Sequence, residues 1–590
     1  MITDLFSFDE YVTCDFEYHA PPGEIPVVIN MAAHENVSGR RFLLWGDEFH
    51  GMEQPPFRID ERTLFICFAA TAELSAFHAL RWPEPYHILD LYAEERVINN
   101  GKFKGKGQFG LLETCRRYGV NGIAADEKTA NQSLAVRGGP FSSGEKRILQ
   151  RYVRSDVEAL DKLYPIMMPL IKHPRIAMFR SGYTKAVART EHAGTPVDPQ
   201  ISVLKKLWPE RLPQLVEQID LAYGVYDDMR FSQELFEDYL DHENIPWEET
   251  PSGLLKTDRQ TFSDMSRVYP QLQALHELRK CVSETRDIKL AVGSDFRNRC
   301  GLIPFGTETG RNAPSGNKFL FNCSKWFRFL VKPEKGWALS NLDFRAQEIQ
   351  VGAALSGDPE LIRMYETGDP YSQMAIAAGK MPAGGSKKTH PHIRALFKEL
   401  SLGVIYGMSN RTLALNIKGS VPEADALMRF HKTKFEVFWT WLNRQVANGL
   451  VDEVIWTKFG WYRHLRDQEV QTPFGLKVKG VNMRSIQNFF MQAHAAHILQ
   501  VSMIKLWDAG IQVCAPVHDS VLIYCPEDEI EDQVKLATDL MEESSRIVLD
   551  GKKVDVENTI VRYPDRLGDE SEGAVQMWNK ILELCPEIKP

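Results

Sequence analysis

Between residues 9 and 71 the hydrophobic residues fall in short runs separated by Pro, Gly and charged clusters, which is the pattern of successive strands. The four runs are YVTCDFEYHA, IPVVINMAA, RRFLLWGDE and TLFICFAAT. The spacing of apolar positions then lengthens to a helical period in AELSAFHALRW and EKRILQRYVRSDVEALDKLYPIM. Strands followed by helices predict a mixed α/β domain over residues 1–180. Residues 185–300 carry an almost wholly helical pattern, including LQALHELRKCVSETRDIKLAV. Pro and Gly cluster in GLIPFGTETGRNAPSG and mark a boundary. Beyond it, strands such as GWALSNLDF and CAPVHDSVLIYC are separated by long helices. The chain shows no internal repeat and no long low-complexity tract.

A chain of 590 residues exceeds a single core, and a soft prior gives about three to five domains. No apolar run approaches the roughly 20 residues needed to span a bilayer. The N-terminal MITDLFSFDEYV lacks the features of a secretory signal. The nine cysteines are scattered without a CxxC, which fits reduced thiols in a cytosol-like compartment. A net charge of −9 argues against nonspecific coating of nucleic acid but not against a local groove. In RNAPSGNKFLFNCSKWFRFLVKP, Arg311, Lys318, Lys325, Arg328 and Lys332 interleave with aromatics and no acid. That stretch suits a phosphate backbone, and equally a solvated basic face over buried aromatics.

Within CAPVHDSVLIYC, His518 and Asp519 interrupt a run that otherwise reads as a buried strand. Burying an unpaired carboxylate costs several kcal/mol, about 3–5 by the usual scale, so Asp519 needs a partner. A tight hairpin with both residues at its tip would let Asp519 reach a metal or ligand; an ordinary turn Asp is the alternative. Asp343 sits at the end of another apolar strand, just before a helix, where a capping role competes with metal ligation. Together the two acids make the sparse carboxylate set that Mg²⁺ favours. In IRALFKELSLGVIYGMS, Arg394, Lys398, Leu402 and Tyr406 recur every four residues, about 400° of helix per step, so neighbours share a face. Arg and Lys one turn apart suit phosphates, and a basic amphipathic stripe is the commoner origin of such spacing. Arg484, Asn488 and Gln492 repeat the spacing with amides that suit a duplex minor groove.

In order and spacing these segments resemble the signature motifs of DNA polymerase family A, over about residues 180–590. Asp343 to Glu348 resembles the first motif, Arg394-x3-Lys398-x3-Leu402-Gly403-x2-Tyr406-Gly407 the second, and His518-Asp519 the third. Thr309 to Arg311 resembles the family's palm-entry motif. The resemblance implies a right-hand polymerase domain with a thumb over 181–305, a palm over 306–355 and 484–590, and fingers over 356–483. It implies that Asp343, Asp519 and the Phe344 carbonyl hold two Mg²⁺ ions. Arg394 and Lys398 would bind the triphosphate, with Lys398 protonating the leaving group, and Tyr406 and Glu348 would shape the sugar pocket. Arg311, Arg484, Asn488 and Gln492 would hold primer–template DNA, with His518 near the primer end. Three positions depart from the family: Ser520 replaces a Glu, Leu402 an aromatic, and Tyr371 a phosphate-contacting His.

In CDFEY, Asp15 and Glu17 share one face of a strand, and in YVRSD, Tyr152 and Asp156 share one face of a helix. Ahead of a polymerase, this resembles an RNase H-like DEDD-type 3′–5′ exonuclease domain. There the carboxylates hold two Mg²⁺ or Mn²⁺ ions and the tyrosine orients the attacking water. The second exonuclease motif is incomplete: the best register offers Ser75, a shifted one Glu73, and Asp90 lies further on. The Gly-rich MAIAAGKMPAGGSKKTH does not match GxxxxGK[ST] and reads as a flexible lead-in to the nucleotide helix. The expectation is therefore a monomeric, cytoplasmic, phage-type DNA polymerase without the 5′-nuclease of the bacterial enzymes. It would use primer–template DNA and deoxynucleoside triphosphates, with base preference open to modified bases such as 2-aminoadenine. A nuclease-dominant repair enzyme and an inactive nucleic-acid-binding replication factor are the alternatives.

Overall fold

The computed structural model describes residues 7–589 apart from 50, 104, 106, 121–124, 251, 287, 418, 466–467 and 472–476. Strands β1 (Glu10–His19), β2 (Val27–Glu35), β3 (Arg41–Trp45), β4 (Thr63–Cys67) and β5 (His87–Asp90) form one sheet in the order β3-β2-β1-β4-β5. β1 runs antiparallel to β2 and parallel to β4, so it is central and carries its side chains between two layers of helices. Helix α1 (Ala70–Leu80) covers one face and α2 (Ser143–Met167) the other. Asp161 fastens α2 to the sheet through His34 Nδ1, 2.8 Å away. β4 is shorter than its apolar run because Ala69 takes a left-handed φ of 68° and turns the chain into α1. β3 likewise stops at Trp45, where a short 3₁₀ turn begins.

Helix α3 (Pro174–Ala193) runs through residue 180, so the boundary expected there falls inside a continuous element shared by both halves. Helices α4 (Ile201–Asp220), α5 (Gln233–His242), α6 (Arg259–Val268) and α7 (Gln273–Thr285) follow, in keeping with the helical pattern. The helix stops at Thr285 rather than continuing to Val292. Ala291 instead donates its N–H to the Lys318 carbonyl at 3.2 Å, an inter-segment pairing that no local pattern announces.

The second sheet comprises β6 (Trp337–Phe344), β7 (Val513–Val517), β8 (Ser520–Pro526) and β9 (Val556–Arg562), all antiparallel, in the order β7-β8-β6-β9. Helix α8 (Gln347–Ser356) follows β6, and α9 (Pro391–Ile405) carries the four-residue series. The long α10 (Met483–Asp508) is buried along most of its length and packs against α3 and α11 (Ile530–Val548). A helix buried over so much of its length is a central strut of a large domain. Among the described residues all nine cysteines are free, and no helix is long and apolar enough to cross a membrane.

Candidate active site

β7 and β8 are joined by a two-residue turn, His518-Asp519, with His518 at a φ of 58°. A non-glycine residue held in the left-handed region is costly unless its surroundings fix it. Val517 pairs with Ser520, and Ser520 lies opposite Asp343 on β6. The Phe344 N–H donates to the Asp519 carbonyl at 3.4 Å. Both carboxylates therefore emerge at the same end of adjacent strands. The capping alternative for Asp343 is excluded, because the residue before α8 is Ala346 and no side chain caps it. Desolvation in the cleft, followed by the Asp519 charge, pushes Asp343 up to about 7, with Lys398 opposing. Burial likewise raises Asp519. Two carboxylates that resist being charged together, with hard oxygen donors and Lys398 as a nearby cation, fit divalent cations such as Mg²⁺.

Over this end of the sheet stands α9. Arg394 is half-buried, its Nε 3.2 Å from Asp369 and its guanidinium 5.1 Å from the centre of the Tyr371 ring. Tyr371 is itself buried, so it supports Arg394 from beneath. Lys398 is exposed one turn on, and Leu402 and Tyr406 are half-buried on the same side. The Tyr406 hydroxyl lies between Glu348 and Gln492; desolvation first and the Glu348 charge second raise its pKa. Glu348 is raised chiefly by burial, against the pull of Tyr406 and of Arg311, whose Nη2 is 3.8 Å away. On α10, Arg484 lays its stem across Gly407, where a Cβ would come within 2.8 Å of Arg484 Cγ. Asn488 Oδ1 is buried without a hydrogen-bond partner among the described residues. A cavity of about 200 Å³ is lined by Gly310, Arg311, Gln500 and His518 among others.

The basic stretch from Arg311 to Pro333 is not a continuous phosphate track. Arg328 and Lys325 pair with Asp569 at 2.9 and 3.6 Å, Lys332 with Asp198 at 3.6 Å, and Phe319, Phe321, Trp326 and Phe327 are buried. Two acids near the site had escaped sequence reasoning. Asp369, in a GDP turn, resembles any turn aspartate until Arg394 is found beside it. Glu557 lies directly opposite Asp343 on β9, a neighbourhood set by strand pairing alone.

In the N-terminal domain, one oxygen each of Asp15, Glu17 and Asp156 lie within 4.8 Å of one another. Tyr152, buried on α2 one turn before Asp156, has its phenol raised by desolvation and then by the Asp156 charge. Of the positions open for the second exonuclease motif, Glu73 is the carboxylate whose charge is felt with those of Glu17 and Asp156. Glu73 is 3% exposed, accepts a 3.1 Å hydrogen bond from the Phe16 N–H, and is raised well above its usual range by burial and then by Glu17. Two residues advance about 200° along a helix, so Ser75 faces away from Glu73. Its hydroxyl donates to the Ala72 carbonyl at 2.6 Å. Asp90 accepts from the N–H groups of Ala69 and Tyr92 and so fastens the start of α1 to the end of β5. The three clustered acids and Glu73 make a hard-oxygen set that fits divalent cations.

An antiparallel sheet with paired acids beneath a helix with a basic face, together with an N-terminal domain that has its own acidic cluster, defines a multidomain α/β architecture built around two carboxylate sites. Residues 228–560 match the family model for DNA polymerase family A, and the chain belongs to that family. It is 28% identical over 214 residues to the thermostable DNA polymerase I of Thermus aquaticus, covering 35% of this chain and 25% of that one. It is 27% identical over 478 residues to DNA polymerase I of Synechocystis sp., covering 74% of this chain and 47% of that one. The matched region thus spans a quarter to about half of these relatives. A solved structure of the POL domain of Pol1 from M. smegmatis, in complex with DNA primer-template and dNTP, superposes with a TM-score of 0.72. That match is 20% identical and covers 95% of this chain and 96% of the other, a likeness of fold.

Proposed function

We propose that the chain is a DNA-templated DNA polymerase that adds deoxynucleotides to a primer 3′ end, with an N-terminal 3′–5′ exonuclease. The observation that carries this reading is the emergence of Asp343 and Asp519 at one end of adjacent strands, beneath the Arg394 and Lys398 face of α9. Two divalent cations bound there would stabilise the attacking and leaving oxygens of phosphoryl transfer. Asp343, Asp519 and the Phe344 carbonyl are the groups to hold them. Arg394, oriented by Asp369 and Tyr371, clamps the triphosphate, and Lys398 delivers a proton to the departing pyrophosphate. Asn488 Oδ1, buried and without a partner among the described residues, meets the primer–template duplex together with Gln492 and Arg484. Primer extension on a defined template with the four deoxynucleoside triphosphates tests the reading. The same reading extends to replication of a phage genome, and incorporation of dATP against 2-aminoadenine triphosphate opposite dT measures base preference.

The half-buried Glu348 and Tyr406 side chains close the space where a ribose 2′-OH would sit. Glu348→Ala is expected to raise ribonucleotide incorporation by roughly tenfold or more, since a crowding contact in the pocket discriminates by about 1–3 kcal/mol. Unchanged incorporation places the sugar filter elsewhere.

Leu402 offers no hydrogen-bonding group to replace a missing 3′-OH contact. The wild type is therefore expected to reject dideoxynucleotides by roughly ten- to a hundredfold. Leu402→Tyr should relax this, read by competition of dTTP with ddTTP. Equal use of both by the wild type would remove Leu402 from the sugar pocket.

A further inference from the structure

We propose that Asn100 of the N-terminal domain is a positioning residue for the polymerase site, acting through the turn that carries Arg311; this rests on the polymerase reading above. The turn closes on itself through Thr307. The Gly310 N–H donates to the Thr307 carbonyl at 3.1 Å, and the Arg311 N–H to Thr307 Oγ1 at 2.9 Å. Its two outward carbonyls are held from three separate parts of the chain. Asn100 Nδ2 donates to the Glu308 carbonyl at 2.8 Å and to the Tyr462 carbonyl at 2.9 Å. Trp461 Nε1 donates to the same Glu308 carbonyl at 2.9 Å, and Gln500 Nε2 to the Gly310 carbonyl at 2.9 Å.

Each holder is fixed in turn. Asn100, Trp461 and Gln500 are each 1% exposed. His497 sits between Gln500 Oε1 at 3.0 Å and Thr457 Oγ1 at 2.9 Å. The Asn100 carbonyl accepts the His464 N–H at 2.9 Å, and Arg96 Nε donates to the Phe305 carbonyl at 2.9 Å. Gly101 makes the approach possible: its φ is +82°, and a Cβ there would lie 2.3 Å from the His464 carbonyl oxygen. A primary amide has two N–H groups at a fixed angle, so one Asn can lock two carbonyls from distant segments together. Buried networks of this kind hold geometry because breaking one bond leaves a desolvated carbonyl without its partner. The geometry held here is that of Arg311, which faces Glu348 at 3.8 Å and lines the cavity shared with His518. Asn100 belongs to neither acidic cluster, and it meets the Arg311 turn at the Glu308 carbonyl.

A double-mutant cycle tests this. Asn100→Ala is expected to lower kcat/KM for single-nucleotide extension by roughly tenfold, because small displacements of a positioning group are costly. Amide exchange across residues 307–311 should quicken in the same variant. Added to Arg311→Ala, it should cost less than about twofold more, because the two residues act in series. Trp461→Phe removes one N–H from the Glu308 carbonyl while leaving a ring against Gly310. It should behave the same way with a smaller effect, and it serves if Asn100→Ala does not fold. Additive losses in the cycle, or unchanged exchange at 307–311, overturn the proposal. A wild type that does not extend primers refutes the polymerase reading instead, and the exchange measurement still decides whether Asn100 holds the turn.

Discussion

Asp343→Asn and Asp519→Asn are each expected to abolish primer extension, by at least about a thousandfold, while primer–template binding persists. Each substitution keeps the size of the side chain and removes one anionic oxygen ligand. A loss of about 4 kcal/mol of transition-state stabilisation corresponds to that factor. Binding should be retained or slightly tightened, since a negative charge is removed beside a phosphate backbone. The Asn forms also remove a desolvated charge and its repulsion with the other carboxylate, which in that order raise Asp343 to about 7, so neither variant should melt earlier than the wild type. Single-turnover extension together with fluorescence anisotropy on a labelled primer–template measures both quantities. Extension within a few-fold of wild type in either variant would displace that residue from the metal-holding role. Loss of DNA binding in step with extension would point to a structural role instead.

The second large effect belongs to the N-terminal domain. Asp15→Ala is expected to eliminate 3′–5′ degradation of a single-stranded primer, because it removes one of three carboxylates that converge within 4.8 Å. Glu73→Gln should lower degradation by roughly a hundredfold, a loss of about 2.7 kcal/mol in transition-state stabilisation. Gln keeps an oxygen to accept the Phe16 N–H, so the variant probes the charge rather than the packing. Ser75→Ala should stay within about twofold, as expected of a small truncation on the side of α1 away from Glu73. Gel-resolved degradation without nucleotides separates the three. Strong degradation in Glu73→Gln would leave the site with three working carboxylates. A loss in Ser75→Ala equal to that in Glu73→Gln would reverse the assignment of the second motif.

The polymerase motifs were legible in the chain because each is a short run of residues close together in sequence. Arg394, Lys398, Leu402 and Tyr406 follow the period of a single helix, and His518-Asp519 interrupts a single apolar run. The same locality made Asp15 with Glu17, and Tyr152 with Asp156, readable as pairs. What could not be read is every relation that crosses elements. Glu73 rather than Ser75 turns toward β1 because the chain enters α1 at a left-handed Ala69, which sets the rotation of that helix. The basic stretch after Arg311 was claimed by Asp569 and Asp198, acids far away along the chain. Glu557 faces Asp343 only through the register of β6 and β9, and Asn100 reaches the Arg311 turn only across the docked domains. Side-chain spacing along one helix or strand is dictated by backbone geometry that each residue carries with it. Register, helix rotation and domain docking are instead set by the burial of many side chains at once. The sequence by itself therefore determined which chemical groups the protein would deploy, and the tertiary packing decided which of them face one another.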